Sequence, residues 1–230
     1  MKLSIIVPVF NEKNTIVELL RRVEAADLGV VKEIIIVDDF SDDGTKEILA
    51  ALENKYLVLY HDKNYGKGHA LRTGLGRAAG ELVVVQDADL EYDPADLRLL
   101  VEKIGQPGID VVYGSRRMGQ RYWELKRSSH LFTLGGIFIT WLTNFLYKTN
   151  LTDQPTCYKM FRSSLLPSLD LKCERFEYCS ELTAKLVKMG IGIYEVPIGY
   201  NPRTKKEGKK INWRDGLESI WALIKHKFIR

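Results

Sequence analysis

The sequence predicts an α/β fold with a mostly parallel central sheet and helices on both faces. Two observations carry that expectation. Short β-rich runs alternate with helical patterns through the first half of the chain, and acidic or polar clusters stand where those runs end. Strands that alternate with helices form right-handed βαβ units, because a twisted strand feeding a helix packs back onto its sheet only that way. A length of 230 residues fits one domain with a sizeable core, or one domain with an appended segment.

Taken in order, Leu3 to Val9 reads as a buried strand. Thr15 to Ala26 has helical spacing, with Ile16, Leu19, Leu20 and Val23 on one face. Glu33 to Val37 is a second strand, Thr45 to Leu52 a helix and Tyr56 to Tyr60 a third strand. Gly66 to Ala79 opens with glycines and continues as a helix, and Leu82 to Gln86 is a fourth strand. Pro94 to Ile104 is a helix with Asp93 as its N-cap, followed by a fifth strand over Asp110 to Tyr113. The second half reads differently. Arg127 to Tyr147 is a long, largely apolar helical stretch, Met160 to Leu169 a turn and short helix, and Tyr178 to Met189 an amphipathic helix. A strand over Ile193 to Ile198 follows. Trp213 to Phe228 is a last amphipathic helix, with Trp213, Leu217, Ile220, Trp221, Ile224 and Phe228 on one face. The simplest organisation is a domain over 1–212 and a C-terminal helix over 213–230 that serves as a membrane-surface or interface element.

Hydrophobic residues make up 45% of the chain and charged residues 28%, ordinary values for a soluble globular protein. Cys157, Cys173 and Cys179 are odd in number and lack C-x-x-C spacing, which argues against a disulfide framework or zinc site and fits a reducing compartment. The first residues form too short an apolar run for a signal peptide and read as a strand. From Arg203 onward nine basic residues face three acidic ones, a charge of +6, so the rest carries −2 of the net +4. A basic tail on a near-neutral body suggests an anionic partner, although a solvated charged face has the same composition.

In an open parallel sheet, ligands bind beyond the carboxyl ends of the strands. Pro8-Val9-Phe10-Asn11-Glu12 follows the first strand, Asp38-Asp39 the second, Asp87-Ala88-Asp89 the fourth and Gly114-Ser115-Arg116 the fifth. Clustered carboxylates repel one another unless a metal or a donor-rich ligand fills the site. Two Asp flanking a small residue place both side chains near one oxygen-coordinated divalent ion, which can bridge a diphosphate. Each motif alone is weak; their joint placement is not. A dinucleotide-binding dehydrogenase needs G-x-G-x-x-G after its first strand, and this chain has Asn11-Glu12-Lys13-Asn14 there. The Gly66-Lys67-Gly68 loop is either a turn before a helix or a phosphate-binding helix N-terminus.

Leu3 to Glu12, Val37 to Thr45, Asn64 to Ala70 and Asp87 to Pro94 together resemble family 2 glycosyltransferases. Within that family, Gly114-Ser115-Arg116 and the basic tail resemble the dolichol-phosphate mannose synthase and polyprenyl-phosphate glycosyltransferase branch. The resemblance covers nearly the whole chain and implies the GT-A fold. It also implies that Pro8, Phe10, Glu12, Val37 and Asp39 line the nucleoside pocket, and that Lys67, Asp87, Ala88 and Asp89 complete the nucleotide-sugar site. Asp87 and Asp89 would hold Mg²⁺ or Mn²⁺, with Glu91, where mannose synthases often carry Gln, assisting. Asp89, Arg116, Arg127, Arg203 and Lys210 form the implied catalytic set, the cations surrounding the donor diphosphate and acceptor phosphate. The Q-x-x-R-W signature of processive polysaccharide synthases is absent, which argues for transfer of a single sugar.

The implied reaction is inverting transfer of one hexose from a GDP-mannose or UDP-glucose type donor to a polyprenyl or dolichyl phosphate. The competing readings are a hydroxyl acceptor and, in another class, a non-catalytic nucleotide-sugar-binding subunit. A nucleic-acid partner is disfavoured by the acidic pocket. Leu131 to Tyr147, aromatic at Phe132, Phe138, Trp141 and Phe145, reads as an interfacial helix, with a buried core helix and a marginal membrane span as the other readings. With the basic aromatic final helix it suggests peripheral attachment to an anionic cytoplasmic leaflet; a homodimer interface or a membrane subunit would use the same surface. His61, His69, His130 and His226 lack metal spacing, and Glu181 is either structural or the equivalent of a glutamate found in relatives.

Overall fold

The computed structural model describes residues 1–118, 130–203, 208, 210 and 212–228. The elements run β1 (Lys2–Val9), α1 (Ile16–Ala25), β2 (Val31–Asp38), α2 (Thr45–Ala50), β3 (Leu57–Tyr60), α3 (Lys67–Leu75) and β4 (Leu82–Val85). A 3₁₀ turn over Pro94–Asp96 leads into α4 (Leu97–Ile104), then β5 (Val111–Ser115), α5 (His130–Tyr147) and β6 (Lys159–Arg162). The chain ends with α6 (Leu166–Leu169), α7 (Tyr178–Lys188), β7 (Tyr194–Pro197) and α8 (Trp213–Phe228). Asp93 caps the 3₁₀ turn as its sequence position predicts, its carboxylate accepting from the Ala95 N–H at 3.0 Å.

The strands form one sheet in the order β3-β2-β1-β4-β6-β5-β7. β1 pairs in parallel with β2 and β4, β2 with β3, and β5 with β7. β6 runs antiparallel between β4 and β5. The sequence reading placed a turn over the start of this segment, and the structure corrects it to a strand. Four residues, Lys-Met-Phe-Arg, are too few to show alternation, and a charged residue at each end hides their burial. The direction of β6 matters: its amino end lies at the edge where the parallel strands have their carboxyl ends, so the residues leading into it arrive there as well.

Both faces of the sheet are covered, so β1 is buried continuously from Leu3 to Val9 rather than on alternate residues, as a doubly covered parallel strand requires. On one face Leu82, Val84, Val112 and Met160 pack with Leu97 and Leu100 of α4, together with Leu19 and Val23 of α1. On the other, Val83, Val111, Tyr113 and Phe161 meet Leu182 and Leu186 of α7. Period-2 alternation divides these neighbours between the two layers.

α8 docks on α5 and α7 through Leu223, which packs with Ile139, Tyr147 and Ala184, and Tyr147 Oη donates to the Leu223 carbonyl at 2.8 Å. The stripe singled out in sequence is not the docked one. Trp213, Leu217, Trp221, Ile224 and Phe228 face outward, and Ile220 is half-buried. α5 likewise exposes Leu134, Ile137, Phe138, Trp141 and Phe145, the last three stacked in sequence with centroids 5.7 Å apart. Phe132 lies outside the described side chains. Among the described residues no helix is long and apolar enough to cross a membrane.

Lys159 on β6 is fully buried, donates to the Gln154 carbonyl at 2.6 Å and lies 3.6 Å from the Tyr113 ring centroid. Burial pulls its pKa down to about 8, with nearby Asp153 and Glu195 resisting in part. An unfolded lysine keeps its proton to about pH 10.4. In that window the unfolded chain binds more protons, and the wild type gains stability with rising pH. Urea midpoints at pH 7.5 and 9.5 are therefore expected to rise in the wild type relative to Lys159→Met. A constant difference between the two proteins would contradict a lysine that loses its charge in the fold.

Candidate active site

The site is assembled from the loops that leave the sheet at one edge. After β1 the chain turns through Asn11, whose φ of 51° is left-handed, a conformation Asn tolerates better than most residues. Asn11 Nδ2 donates to Asp42 Oδ1 at 2.8 Å and Asn11 Oδ1 accepts from the Asp42 N–H at 2.9 Å, tying the β1 and β2 loops together. The turn buries Glu12, which accepts from Thr15 Oγ at 2.6 Å.

Asp39, after β2, accepts from the N–H groups of Tyr65 and Gly66 at 2.9 and 2.7 Å and shares a 2.7 Å bond with His61 Nδ1. Gly66 has a φ of +96°, and a Cβ there would lie 2.6 Å from the Glu174 carbonyl, so only glycine fits. The His69 N–H donates to that same carbonyl at 3.0 Å. The loop before α3 is therefore a turn whose donors are largely committed to Asp39 and Glu174, in preference to the phosphate-binding alternative. Lys67 contributes through its side chain, which pairs with Asp87 and lies 3.9 Å from Cys157 Sγ. Burial opposes its charge, but Asp87 outweighs burial and holds the ammonium protonated.

Asp87, Ala88 and Asp89 follow β4. Asp89 is nearly buried; burial, then repulsion from Asp87 and Glu91, pushes its carboxyl up to about 7 against the pull of Arg203. Arg203 Nη2 lies 2.8 Å from Asp89, and the same guanidinium forks onto Glu12 at 3.0 and 3.1 Å. Lys210 adds a 2.7 Å bond to Glu12 and another to the Phe10 carbonyl. Burial alone would raise the Glu12 carboxyl; bonds from Arg203, Lys210 and Thr15 outweigh it and hold Glu12 below the usual range.

Asp87 and Asp89 offer oxygen only, separated by one small buried residue, and their mutual repulsion favours a hard divalent cation. The donor set thus fits Mg²⁺ or Mn²⁺. Glu91, expected to assist at the metal, also carries structural bonds. Its carboxylate accepts from Tyr200 Oη and the Arg203 N–H, each at 2.7 Å, and its carbonyl from the Asn201 N–H at 2.8 Å. It anchors the segment that brings in Arg203.

Beyond β5, Arg116 is gripped by buried Asp153 through Nε and Nη2, both at 2.7 Å, and lies 5.0 Å from the Tyr200 ring centroid. Burial disfavours both charges, yet each partner overcomes it: the Asp153 carboxyl is held down and the Arg116 guanidinium up. Arg117 beside it donates to Thr140 Oγ and the Thr152 carbonyl.

One cavity of ≈ 1290 Å³ joins these parts. Its wall contains Pro8, Phe10, Glu12, Asp39, Lys67, Asp87, Ala88, Asp89, Glu91, Arg116, Arg203 and Lys210. Val37 does not belong to the wall; it is buried in β2, its Cγ2 3.3 Å from where a Cβ on Gly74 would stand. Arg127 lies outside the described residues. Sequence reasoning missed Asp153, His61 and Arg117. His61 follows the carboxyl end of β3, a signal as good as the one that marked Asp39, whereas Asp153 could be found only by recognising β6 and its direction. Asp153→Ala is expected to cost about 3–5 kcal/mol of unfolding free energy, the scale for stranding a buried charge. Urea titration measures it, and a loss below about 1 kcal/mol would show Arg116 to be solvated without its partner.

A glucosyl-3-phosphoglycerate synthase from Mycobacterium tuberculosis, crystallised with Mn²⁺, UDP and phosphoglyceric acid, matches this fold with a TM-score of 0.73 at 21% identity, over 100% of this chain and 79% of that one. The same enzyme with Mg²⁺ and UDP gives 0.71 at 20% identity, over 100% and 80%. The architecture is the GT-A fold. An undecaprenyl-phosphate 4-deoxy-4-formamido-L-arabinose transferase of Edwardsiella ictaluri is 31% identical over 213 residues, 90% of this chain but only 62% of the relative's length. An uncharacterized protein of Methanocaldococcus jannaschii is 29% identical over 231 residues, 98% of this chain and 92% of that protein. The model of glycosyl transferase family 2 matches residues 4–169, and the chain belongs to that family.

Proposed function

We propose that this chain transfers a single hexose, with inversion, from a nucleotide-sugar of the GDP-mannose or UDP-glucose type to a polyprenyl phosphate. The observation that carries the reading is the continuity of the cavity. From the acidic set and its cations it runs to Gly135, Phe138 and Ile139 of α5 and to Gly216, Leu217 and Ile220 of α8. A Cβ on Gly135 or Gly216 would meet nothing within 4 Å. Packing does not demand glycine at these helical positions, where it costs about 1 kcal/mol relative to alanine, and the neighbouring Phe138, Ile139, Leu217 and Ile220 offer an apolar chain side chains of its own kind. The relatives named for undecaprenyl-phosphate substrates support the same acceptor class.

Asp87 and Asp89 would hold Mg²⁺ or Mn²⁺, which when bound neutralises charge on the departing diphosphate. Lys67 pairs with Asp87, Arg203 with Asp89 and Glu12, and Lys210 with Glu12, and the three supply further positive charge to that leaving group. An oxygen of the lipid phosphate attacks the anomeric carbon from the opposite side. The bond from that carbon to the diphosphate oxygen breaks, and its electrons leave with the nucleoside diphosphate. The attacking oxygen is already anionic, so no general base is required.

The outward aromatic faces of α5 and α8 are proposed to rest on a bilayer, with exposed Lys225 and Lys227 toward acidic headgroups. The three free cysteines fit the cytoplasmic leaflet, where thiols stay reduced.

Incubation with Mg²⁺, a panel of nucleotide-sugars and polyprenyl phosphate should yield glycolipid; turnover only with a soluble hydroxyl acceptor would overturn the acceptor assignment. Asp89→Ala is expected to slow transfer about 10²-fold or more, the scale of losing one charge-stabilising group. Unchanged rates would remove the metal role from Asp89. Phe145→Ser with Phe228→Ser should weaken partition onto anionic vesicles about tenfold or more, since each buried Phe contributes on the order of 1.5–3 kcal/mol. Equal partition in sedimentation assays would count against this face.

A further inference from the structure

We propose that Gln154 and Ser180 form a subsite that reads hydroxyl groups of the sugar being transferred, an inference that rests on the nucleotide-sugar reading above. Among the described residues, Gln154 Oε1, Thr156 Oγ, Tyr178 Oη and Ser180 Oγ are buried and have no hydrogen-bond partner. They sit on two short segments joined to each other. Gln154 Nε2 donates to the Cys179 carbonyl at 2.9 Å, and Cys179 Sγ to the Thr156 carbonyl at 3.8 Å. Buried polar atoms are nearly always satisfied, and two of these, Gln154 Oε1 and Ser180 Oγ, belong to residues in a cavity wall where a ligand can complete them.

Position and chemistry narrow that ligand. Gln154 and Ser180 belong to the wall of the cavity that also holds Asp87. Lys67 links the two regions: it pairs with Asp87, and its ammonium lies 5.7 Å from the ring centroids of both Phe176 and Tyr178. The subsite is thus beside the carboxylates assigned to the diphosphate, where the attached sugar must lie. Gln154 Oε1 can only accept, so it demands an O–H or N–H. A phosphate oxygen offers no proton and a polyprenyl chain no polar atom. A pyranose ring offers several hydroxyls, and Ser180 Oγ can donate to one or accept from it.

The test separates sugar recognition from nucleotide binding and needs no acceptor. Wild type, Ser180→Ala and Gln154→Met are titrated calorimetrically, with Mg²⁺, against UDP-glucose, GDP-mannose and the matching nucleoside diphosphates. For the better-bound donor, each variant should lose about tenfold in affinity, the scale of one neutral hydrogen bond, while nucleoside diphosphate affinity stays within twofold. A monodeoxy donor lacking the recognised hydroxyl should bind wild type about tenfold more weakly and Ser180→Ala no more weakly than the parent sugar. Equal losses for donor and nucleoside diphosphate, or no loss for either, would overturn the subsite and leave the donor reading intact. A wild type that binds neither nucleotide-sugar would overturn the donor reading and the subsite together.

Discussion

The structure turns on one electrostatic constraint: Glu12, Asp87, Asp89 and Glu91 converge at one edge of the sheet. Each carboxylate follows from local folding, Glu12 from the turn after β1 and the others from the chain leaving β4. Together they are an arrangement that burial and mutual repulsion oppose, as the raised Asp89 carboxyl records. The opposition is met by cations from far along the chain. Arg203 lies 191 residues from Glu12, yet forks onto it while reaching Asp89. β7, parallel to β5, delivers the chain to the same edge, and Glu91 fastens Tyr200, Asn201 and Arg203 there.

That closure sets where α8 begins, and therefore what the cavity becomes. Asn212 and Arg175 both bind buried Asp215, so the first turn of α8 is held over the cavity rim. Its far end is held by Leu223 against α5 and α7. Between these anchors the helix turns its larger apolar residues away from the protein. The docked stripe uses small groups, Ser219 and Ala222, which permit close approach. The aromatic stripe is the better hydrophobe and is left outside, an arrangement that wastes burial unless that surface has a use.

Most of this was legible in the sequence wherever a strand was long and parallel. The edge clusters after β1, β2, β4 and β5 were located because continuous apolar runs ended in polar residues, and most of the predicted site residues do line one cavity. The failures have physical causes. β6 is short and carries a buried lysine whose charge is tolerated through a carbonyl, an aromatic face and nearby carboxylates, so no periodicity could reveal it. With β6 unseen, Asp153, Gln154 and Cys157 could not be assigned to the site. Val37 was carried in by motif position, although a strand residue two before Asp39 need not share its loop's exposure. The final helix was found with the right residues on one face; which stripe docks is decided by tertiary packing, not by amphipathicity.

The division of polarity along the cavity then favours one kind of acceptor over another. Its inner wall is charged, with guanidinium and ammonium groups drawn in to balance carboxylates. Its opening toward α5 and α8 mixes apolar Phe138, Ile139, Leu217 and Ile220 with polar Asn212, Asp215 and Ser219, between helices whose outer faces are aromatic. An amphiphile with a phosphate at one end and a hydrocarbon chain at the other meets its own chemistry at both ends. It would also keep that chain in the bilayer while the head reaches the donor, so little apolar surface need enter water during the reaction. On the proposed function, the cations that the acidic cluster draws to the inner end are also the groups a phosphate head group would meet.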